Sequence, residues 1–491
     1  MIGVKALILN QKIFINDISI LSVSLTLNFI ARIYRFDHPI SLGWQFRYTQ
    51  TAFTIKSLRV NGFNPFTAEL PIFGSPWKVP MEFPVYQLFA ALVANVFGLT
   101  TDYAGRLTAT LFFLATSVVV YLLGKLLFSR EVSFVALQLF LWSSFGLDWG
   151  TAVLIDFTSV FFLASGLFFL LKFIEQSRSI WIAFYAVAMA LGSLTKVTTA
   201  FSWLLVGVPI VLWIFAASWR DIRLVCLTTF AAVVPTLFWN IWSDRVKADN
   251  PYAAFLTSRN MRRFNFGTLR QRLEMEQWSD LFERFTGAVV GYPLFAVILT
   301  MAAFALSPHP RKLLLLMAIC ASAPLIFFNL YGHDYYPIAI YPAFVIVVAS
   351  GLVEAILFSK KNSSFIARYV LISLAAISVI GLSWVLPLSR ERIFNIINSP
   401  PTMLYEEIRN GTNESDYLIV VGDDYSSAIL YFADRRGLML RPGSPPVPRE
   451  QLGTTYRFVY WHNQEDFNWE RYFPTDLNYR WVSKHLIEII P

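Results

Sequence analysis

An all-α, polytopic membrane bundle with a small α/β domain at its C-terminal end is the fold predicted by three observations. First, 56% of the 491 residues are hydrophobic and 15% are charged, against roughly 25% charged in a typical soluble domain. Second, the apolar residues fall in long blocks, and ~20 helical residues suffice to cross a bilayer core of ~30 Å. Third, the composition changes near residue 389. The tail carries 14 acids against 11 Lys and Arg, whereas the whole chain is +8. Charge this sparse excludes an ordinary soluble enzyme, a disordered chain and a fibrous repeat. Both cysteines, Cys226 and Cys320, lie inside apolar blocks, which excludes a disulfide framework.

Taken in order, candidate spans lie at 14–34, 105–127, 132–147, 154–174, 180–195, 198–217, 222–242, 286–306, 312–331, 336–358 and 366–388, about eleven in all. The stretch 83–98 is too short for a span and reads as a shallow interfacial helix. With the N-terminus cytoplasmic, the inside turns hold Lys125 and Arg130, Lys172 and Arg178, Arg220 and Arg223, Arg311 and Lys312, and Lys360, Lys361 and Arg368. Each turn carries at least two cations, as the positive-inside rule expects. No small-residue cleavage site follows the first apolar block, so it reads as a retained anchor. The long segments 35–104, 243–285 and 389–491 then face outside. The expectation is a membrane module over 1–388 and a soluble extracytoplasmic domain over 389–491, held in a cytoplasmic (inner or plasma) membrane. Within the tail, Asp416–Val421 predicts a strand and Gly422-Asp423-Asp424 a turn. Tyr425–Asp434 predicts a helix ended by Gly437, and Leu438–Leu440 and Tyr456–Trp461 predict further strands.

Polar residues that carry chemistry gather on this outside face. The first loop holds Asp37, Arg47, Tyr48, Trp77, Lys78 and Glu82. It is far longer than a simple connection, and reads either as a structural cap or as half of an interfacial active site. Asp156 opens a span, where a carboxylate either caps the helix or serves function. Lys196 lies between two apolar helices, where it either snorkels to the interface or holds a phosphate as a point charge. Asp156 and Lys196 are placed to pair. His333-Asp334-Tyr335-Tyr336-Pro337 forms another outside turn. A lone loop histidine is usually just solvated, but here it joins three other outward polar clusters. Arg259, Arg262, Arg263, Arg270 and Arg272 run without an acid, as a solvated face or as a clamp for a lipid phosphate or anionic glycan. No phosphate loop, dinucleotide-binding turn, zinc-spaced His/Cys cluster or nucleophile elbow occurs. ATP-driven transport is therefore not indicated; no required cofactor is expected, and a divalent ion is left open.

The first loop also carries a resemblance. Gly43-Trp44-Gln45-Phe46-Arg47-Tyr48-Thr49-Gln50-Thr51-Ala52 is followed by Asn61-Gly62-Phe63-Asn64-Pro65. Then come Met81-Glu82-Phe83-Pro84-Val85-Tyr86 and Gly105-Arg106-Leu107. Leu154-Ile155-Asp156, Leu194-Thr195-Lys196 and His333-Asp334-Tyr335-Tyr336 ahead of Pro342 complete the order. This succession, over roughly 35–390, resembles the polyprenol-phosphate-sugar-dependent glycosyltransferases of the GT-C fold, the protein O-mannosyltransferase and aminoarabinose transferase (PMT/ArnT-like) superfamily.

The resemblance implies a glycosyltransferase moving a sugar from a polyprenyl phosphate to an extracytoplasmic glycan, lipid or protein, with inversion. A carboxylate base would come from Asp37, Asp156 or Glu82. Lys196, Arg47, Arg262 and Arg263 would face the donor phosphate, and Tyr48, Lys78, His333, Asp334, Tyr335 and Tyr336 would line the substrate pocket. The chain departs from the family just before Arg47. Trp44, Gln45 and Phe46 stand where relatives place an acid, and Asp37 is the nearest one upstream. The competing class is a non-catalytic transporter of lipid-linked glycans or an assembly partner. A transporter favours paired repeats and polar mid-membrane helices; these spans are apolar in their middles, which favours the interfacial enzyme. No nucleic-acid partner is expected.

Overall fold

The computed structural model describes residues 2–33, 36, 40, 45–215, 218–361, 402–462 and 469–490. The expected span at 366–388 and the boundary at 388/389 lie outside them. The bundle begins with α1 (Ile2–Ile33) and α2 (Gln45–Asn61), then α3 (Val85–Phe97), α4 (Thr101–Leu127), α5 (Arg130–Trp142) and α6 (Ser144–Trp149). It continues with α7 (Asp156–Gln176), α8 (Ser179–Thr195), α9 (Val197–Ile214) and α10 (Trp219–Ala248). After α11 (Arg262–Phe266) come α12 (Met275–Val290), α13 (Pro293–Leu306), α14 (Pro310–Ile326) and α15 (Tyr341–Lys361).

Among the described residues, five helices are long and apolar enough to cross a membrane, namely α4, α7, α9, α10 and α15. The pair α12–α13 passes as a sixth, although it bends by 79° at its break. The expected eleven are not all found at spanning length, and the reason is local. Polar or bend-forming residues interrupt apolar runs. Ser143 accepts a hydrogen bond from Gly146 N at 3.1 Å and starts α6, which leaves α5 with 13 residues. That is ~20 Å of helix at ~1.5 Å per residue. Lys196 ends α8 at 17 residues, and Gly291, with φ of 83°, separates α12 from α13. The 83–98 stretch forms the 13-residue α3, too short to span.

Polar contacts hold α1 at its middle and at its C-terminal end. Arg32, 1% exposed, donates from Nη2 to the Gly146 carbonyl at 2.9 Å and lies 4.2 Å from the Phe113 ring centroid. Asp17 accepts from Lys125 at 2.5 Å and from Arg130 at 2.6 Å. The 30-residue α10 positions the first loop. Trp239 Nε1 donates to the Met81 carbonyl at 3.0 Å and Ser243 Oγ to the Pro80 carbonyl at 2.8 Å, which sets the chain direction into Glu82.

The C-terminal region adds α16 (Thr402–Gly411), β1 (Tyr417–Val421), α17 (Ala428–Ala433), β2 (Arg436–Leu440), β3 (Tyr456–Trp461), β4 (Tyr479–Trp481) and β5 (Leu486–Ile489). The sheet order is β2-β1-β3-β5-β4, parallel through the first three strands and antiparallel beyond. The expected stop of α17 at Gly437 is corrected. Asp434 ends the helix in the left-handed region, with φ of 56°, and Gly437 lies within β2. A Cβ at Gly437 would sit 2.2 Å from the Leu418 carbonyl oxygen, so the residue is required for strand approach. The outer edge of β2 is covered by the first loop. Gly437 N donates to Pro71 O at 3.1 Å and Met439 N to Ile72 O at 2.8 Å. This pairing satisfies backbone groups that an open edge leaves bare. Phe53, Leu70, Ile72, Phe73 and Val79 share one apolar cluster with Leu418, Val420, Leu430 and Met439.

At Gly351 a Cβ would lie 1.9 Å from the Leu299 carbonyl oxygen, where α15 meets α13. Gly351→Ala must push the two helices apart. Overpacking of this kind costs about 1–3 kcal/mol, and we expect a lower midpoint in thermal melts of the detergent-solubilised protein. An unchanged midpoint would mean that the helices do not pack this closely.

Candidate active site

Asp156 and Lys196 approach from two separate breaks in the bundle. Asp156 is the first residue of α7, preceded by Ile155 in the cap position. Lys196 is the extended residue, φ −158° and ψ 106°, between α8 and α9. Its Nζ lies 2.5 Å from Asp156 Oδ1, and the two side chains are 5% and 2% exposed. These facts answer both bland readings. Asp156 makes no helix-capping bond, and Lys196 does not reach water. A buried ion pair is tolerated when its geometry is close and its remaining hydrogen-bonding capacity is met. Tyr336 and Tyr335 supply part of that environment, with their ring centroids 4.0 and 5.0 Å from Lys196 Nζ. Tyr331 is also buried within the field of Asp156, and its hydroxyl has no hydrogen-bond partner among the described residues.

A second pair stands beside the first. Arg47 of α2 donates to Glu82 at 2.9 Å and to Gln50 Oε1 at 3.0 Å. Burial alone would raise the Glu82 carboxyl, but the Arg47 charge outweighs it, Lys196 and Lys247 add to the effect, and the group sits below its ordinary range. Burial opposes the charge on Arg47 as well, and Glu82 overcomes it, so the guanidinium is held above its ordinary value. The result is four alternating charges, net neutral, drawn from α2, the first loop, α7 and the break after α8. Tyr425, from the turn after β1, closes over this group. Its ring lies 4.5 Å from Phe46, and Gln50 Nε2 donates to its carbonyl at 3.4 Å. Sequence reasoning passed over Tyr425, because nothing in the tail marks one aromatic of a turn as facing a loop some 375 residues earlier.

The remaining candidates fall in different places. His333 packs at 6.1 Å from Tyr335 and 6.0 Å from Tyr336. Burial lowers its imidazole below the ordinary value, and Arg47 adds to the effect. Asp334 turns away from Lys196 and accepts from Arg284 of α12. Tyr48 packs in the main apolar core. Lys78 lies 5.2 Å from the Trp242 ring centroid. Arg262 and Arg263 line a separate basic cavity of about 620 Å³ with Arg259, Asn260, Phe266 and Gly267. Phe264, the residue after Arg263, has its ring 6.0 Å from His333. Asp37 lies outside the described residues.

The fold has counterparts among solved structures. ArnT from Cupriavidus metallidurans, solved with undecaprenyl phosphate, aligns at a TM-score of 0.61 with 13% identity, over 96% of this chain and 97% of its own. The oligosaccharyltransferase of Archaeoglobus fulgidus aligns at 0.59 with 13% identity, over 90% of this chain and 69% of its own. The mycobacterial arabinofuranosyltransferase AftD aligns at 0.59 with 14% identity, over 90% of this chain and 35% of its own. No curated protein matches the chain by sequence. The molecule is thus an integral membrane protein with the GT-C fold of the PMT/ArnT-like glycosyltransferases. Residues 78–242, which include Glu82, Asp156 and Lys196, match the family described as dolichyl-phosphate-mannose-protein mannosyltransferase.

Two outcomes follow from this geometry. Lys196→Met leaves Asp156 buried without its cation, and breaking a buried pair typically costs about 3–5 kcal/mol. Thermal melts should show that loss largely recovered in the Asp156→Leu/Lys196→Met double variant. Equal destabilisation in both proteins would show that the pair is not coupled. The Glu82 carboxyl lies below its ordinary value of 4.5. Its contribution to stability is therefore complete above that pH and disappears only as pH falls through the lower folded value. Glu82→Gln should flatten the acid limb of the stability–pH curve and leave its slope near pH 7 unchanged.

Proposed function

We propose that this protein transfers a sugar from a polyprenyl-phosphate donor to an extracytoplasmic acceptor, with inversion at the anomeric carbon. One observation carries the reading. In a GT-C fold, a buried acid–base pair at the ends of apolar helices stands beside a second, half-buried one, and the net-neutral group is assembled from four chain segments. The ArnT structure holds undecaprenyl phosphate, and an archaeal oligosaccharyltransferase structure holds a dolichol phosphate; a donor of the same chemistry suits this site.

In the reaction, an acceptor hydroxyl attacks the anomeric carbon as the carbon–oxygen bond to the lipid phosphate breaks. The bonding pair leaves on the phosphate oxygen, and the hydroxyl proton passes to a carboxylate. Lys196 and Arg47 are the cations for the developing phosphate charge, since each already sits against one anion in a poorly hydrated setting. Tyr331 offers a buried hydroxyl donor at the same place. The base is drawn from Asp156, Glu82 and Asp37. His333, kept neutral, and the Tyr335–Tyr336 pair form the wall against which the sugar lies. The site is read as facing the outer side of a cytoplasmic membrane, with the C-terminal domain on that same side, and the transfer as needing no cofactor.

The test is release of sugar from a radiolabelled polyprenyl-phosphate sugar by the purified protein, with Asp37→Asn, Glu82→Gln and Asp156→Asn made singly. General-base loss removes about 10²–10⁴-fold of rate, so one variant should fall by that factor. Full activity in all three would remove carboxylate catalysis. Label kept on the lipid with every acceptor offered would point to a carrier protein.

A further inference from the structure

From Arg259 to Leu273 the chain carries five arginines and no acid. Two of them are engaged within the fold. Arg272 donates to the carbonyls of Leu325, Ile326 and Phe266, the last two at 2.8 and 2.6 Å, and Arg270 meets Glu274 at 3.7 Å. The other three, Arg259, Arg262 and Arg263, are exposed and make no ion pair among the described residues. They line the cavity of about 620 Å³ together with Asn260, Phe266 and Gly267, so no carboxylate stands in its described wall. Guanidinium groups gathered in this way repel one another, and an anion between them removes the repulsion. A phosphate suits them best, because each planar fork can give it two parallel hydrogen bonds.

Contacts fix where this segment sits on the bundle. Arg272 closes the C-terminal end of α14, Asn329 Nδ2 donates to the Phe264 carbonyl at 2.9 Å, and the Phe266 ring stacks on Phe327 at 5.3 Å. The chain that follows Phe327 runs into the Tyr335–Tyr336 turn over Lys196. The arginines therefore stand at the end of the bundle that holds the ion-pair cluster.

The same segment bares apolar side chains. Leu269 and Leu273 share one face of the short helix Leu269–Leu273 and are 74% and 73% exposed, and Met275 is 75% exposed. Leu325, at the end of α14 that Arg272 closes, is exposed as well. Phe266 joins the two parts, since it lines the cavity and its carbonyl accepts from Arg272 of that helix. Large bare apolar groups beside arginines, at the end of membrane-spanning helices, fit the boundary between acyl chains and headgroups. A free phosphate would satisfy the arginines and leave the leucines in water. A phospholipid satisfies both.

We propose that Arg259, Arg262 and Arg263 bind the phosphate of an anionic membrane phospholipid, with Leu269, Leu273 and Met275 against its acyl chains. The lipid is bound and not consumed. It is distinct from the sugar donor, whose phosphate is read at Lys196 and Arg47, and the site does not rest on the transferase reading.

The experiment is native mass spectrometry of the full-length protein in detergent, titrated with dioleoyl phosphatidylglycerol, dioleoyl phosphatidylcholine or undecaprenyl phosphate. Phosphatidylglycerol should bind about tenfold more tightly than phosphatidylcholine, and the preference should shrink as salt rises. The triple variant Arg259→Gln/Arg262→Gln/Arg263→Gln should erase the preference, and the corresponding triple Arg→Lys variant should keep most of it. Thermal melts of both should match the wild type, since all three side chains are exposed. Leu269→Ser/Leu273→Ser should weaken both phospholipids alike. Equal binding of the two phospholipids by the wild type, or a preference that survives the glutamine variant, would overturn the site. So would displacement of phosphatidylglycerol by inorganic phosphate, which would mark a free-phosphate site. A larger loss of undecaprenyl phosphate than of phosphatidylglycerol in the glutamine variant would give the arginines to the donor and overturn it too. If the glutamine variant does not fold, the salt series on the wild type decides, and a preference indifferent to salt overturns the site.

Discussion

The site is organised by one buried ion pair. Asp156 and Lys196 sit where apolar helices begin and end, and neither side chain reaches solvent. Each charge alone would be expensive at that depth, and each makes the other tolerable. The consequence is geometric. The break between α8 and α9 must sit beside the start of α7, and the Tyr335–Tyr336 turn must close over the ammonium group. Arg47 and Glu82 extend the same logic outward, since their charges alternate with the first pair and act on it through a medium of low polarity.

The C-terminal region takes part in this arrangement. The first loop lies along the edge of β2, and side chains from both fill one apolar cluster. From that base the Tyr425 ring reaches Phe46, and its carbonyl accepts from the Gln50 side-chain amide. The loop carrying Arg47 and Glu82 is thus held from two directions. The hydrogen bonds of α10 hold it on the membrane side, and the sheet edge holds it on the other. Polar groups must stay within hydrogen-bonding distance to function, and a loop anchored on both sides meets that need better than a free connection.

Much of this was readable from the chain. Long apolar runs foretold α4, α7, α10 and α15, and alternation with turn residues foretold β1, β2 and β3. Asp156, Lys196 and the His333–Tyr336 turn stood out because ionisable residues are rare in such surroundings. Helix lengths were less legible. Ser143 and Gly291 each interrupt a run that is apolar on both sides, so windowed hydropathy passes over the break. The Gly437 reading failed for a related reason. Glycine after a helix resembles a stop, yet here it serves a strand that approaches β1 closely. Tyr425 and Arg284 carry no sequence signal, because their contacts are with residues far away in the chain.

The sequence by itself determined that the chain lives in a membrane and which residue types interrupt its apolar blocks. Hydropathy sums along neighbouring residues, and a window of the linear chain captures it. Only the tertiary structure decided which charge meets which, and that Asp334 leaves Lys196 for Arg284. Those outcomes depend on distance and on exclusion of water. Coulomb attraction falls with both separation and local polarity, and neither quantity exists until the helices have packed.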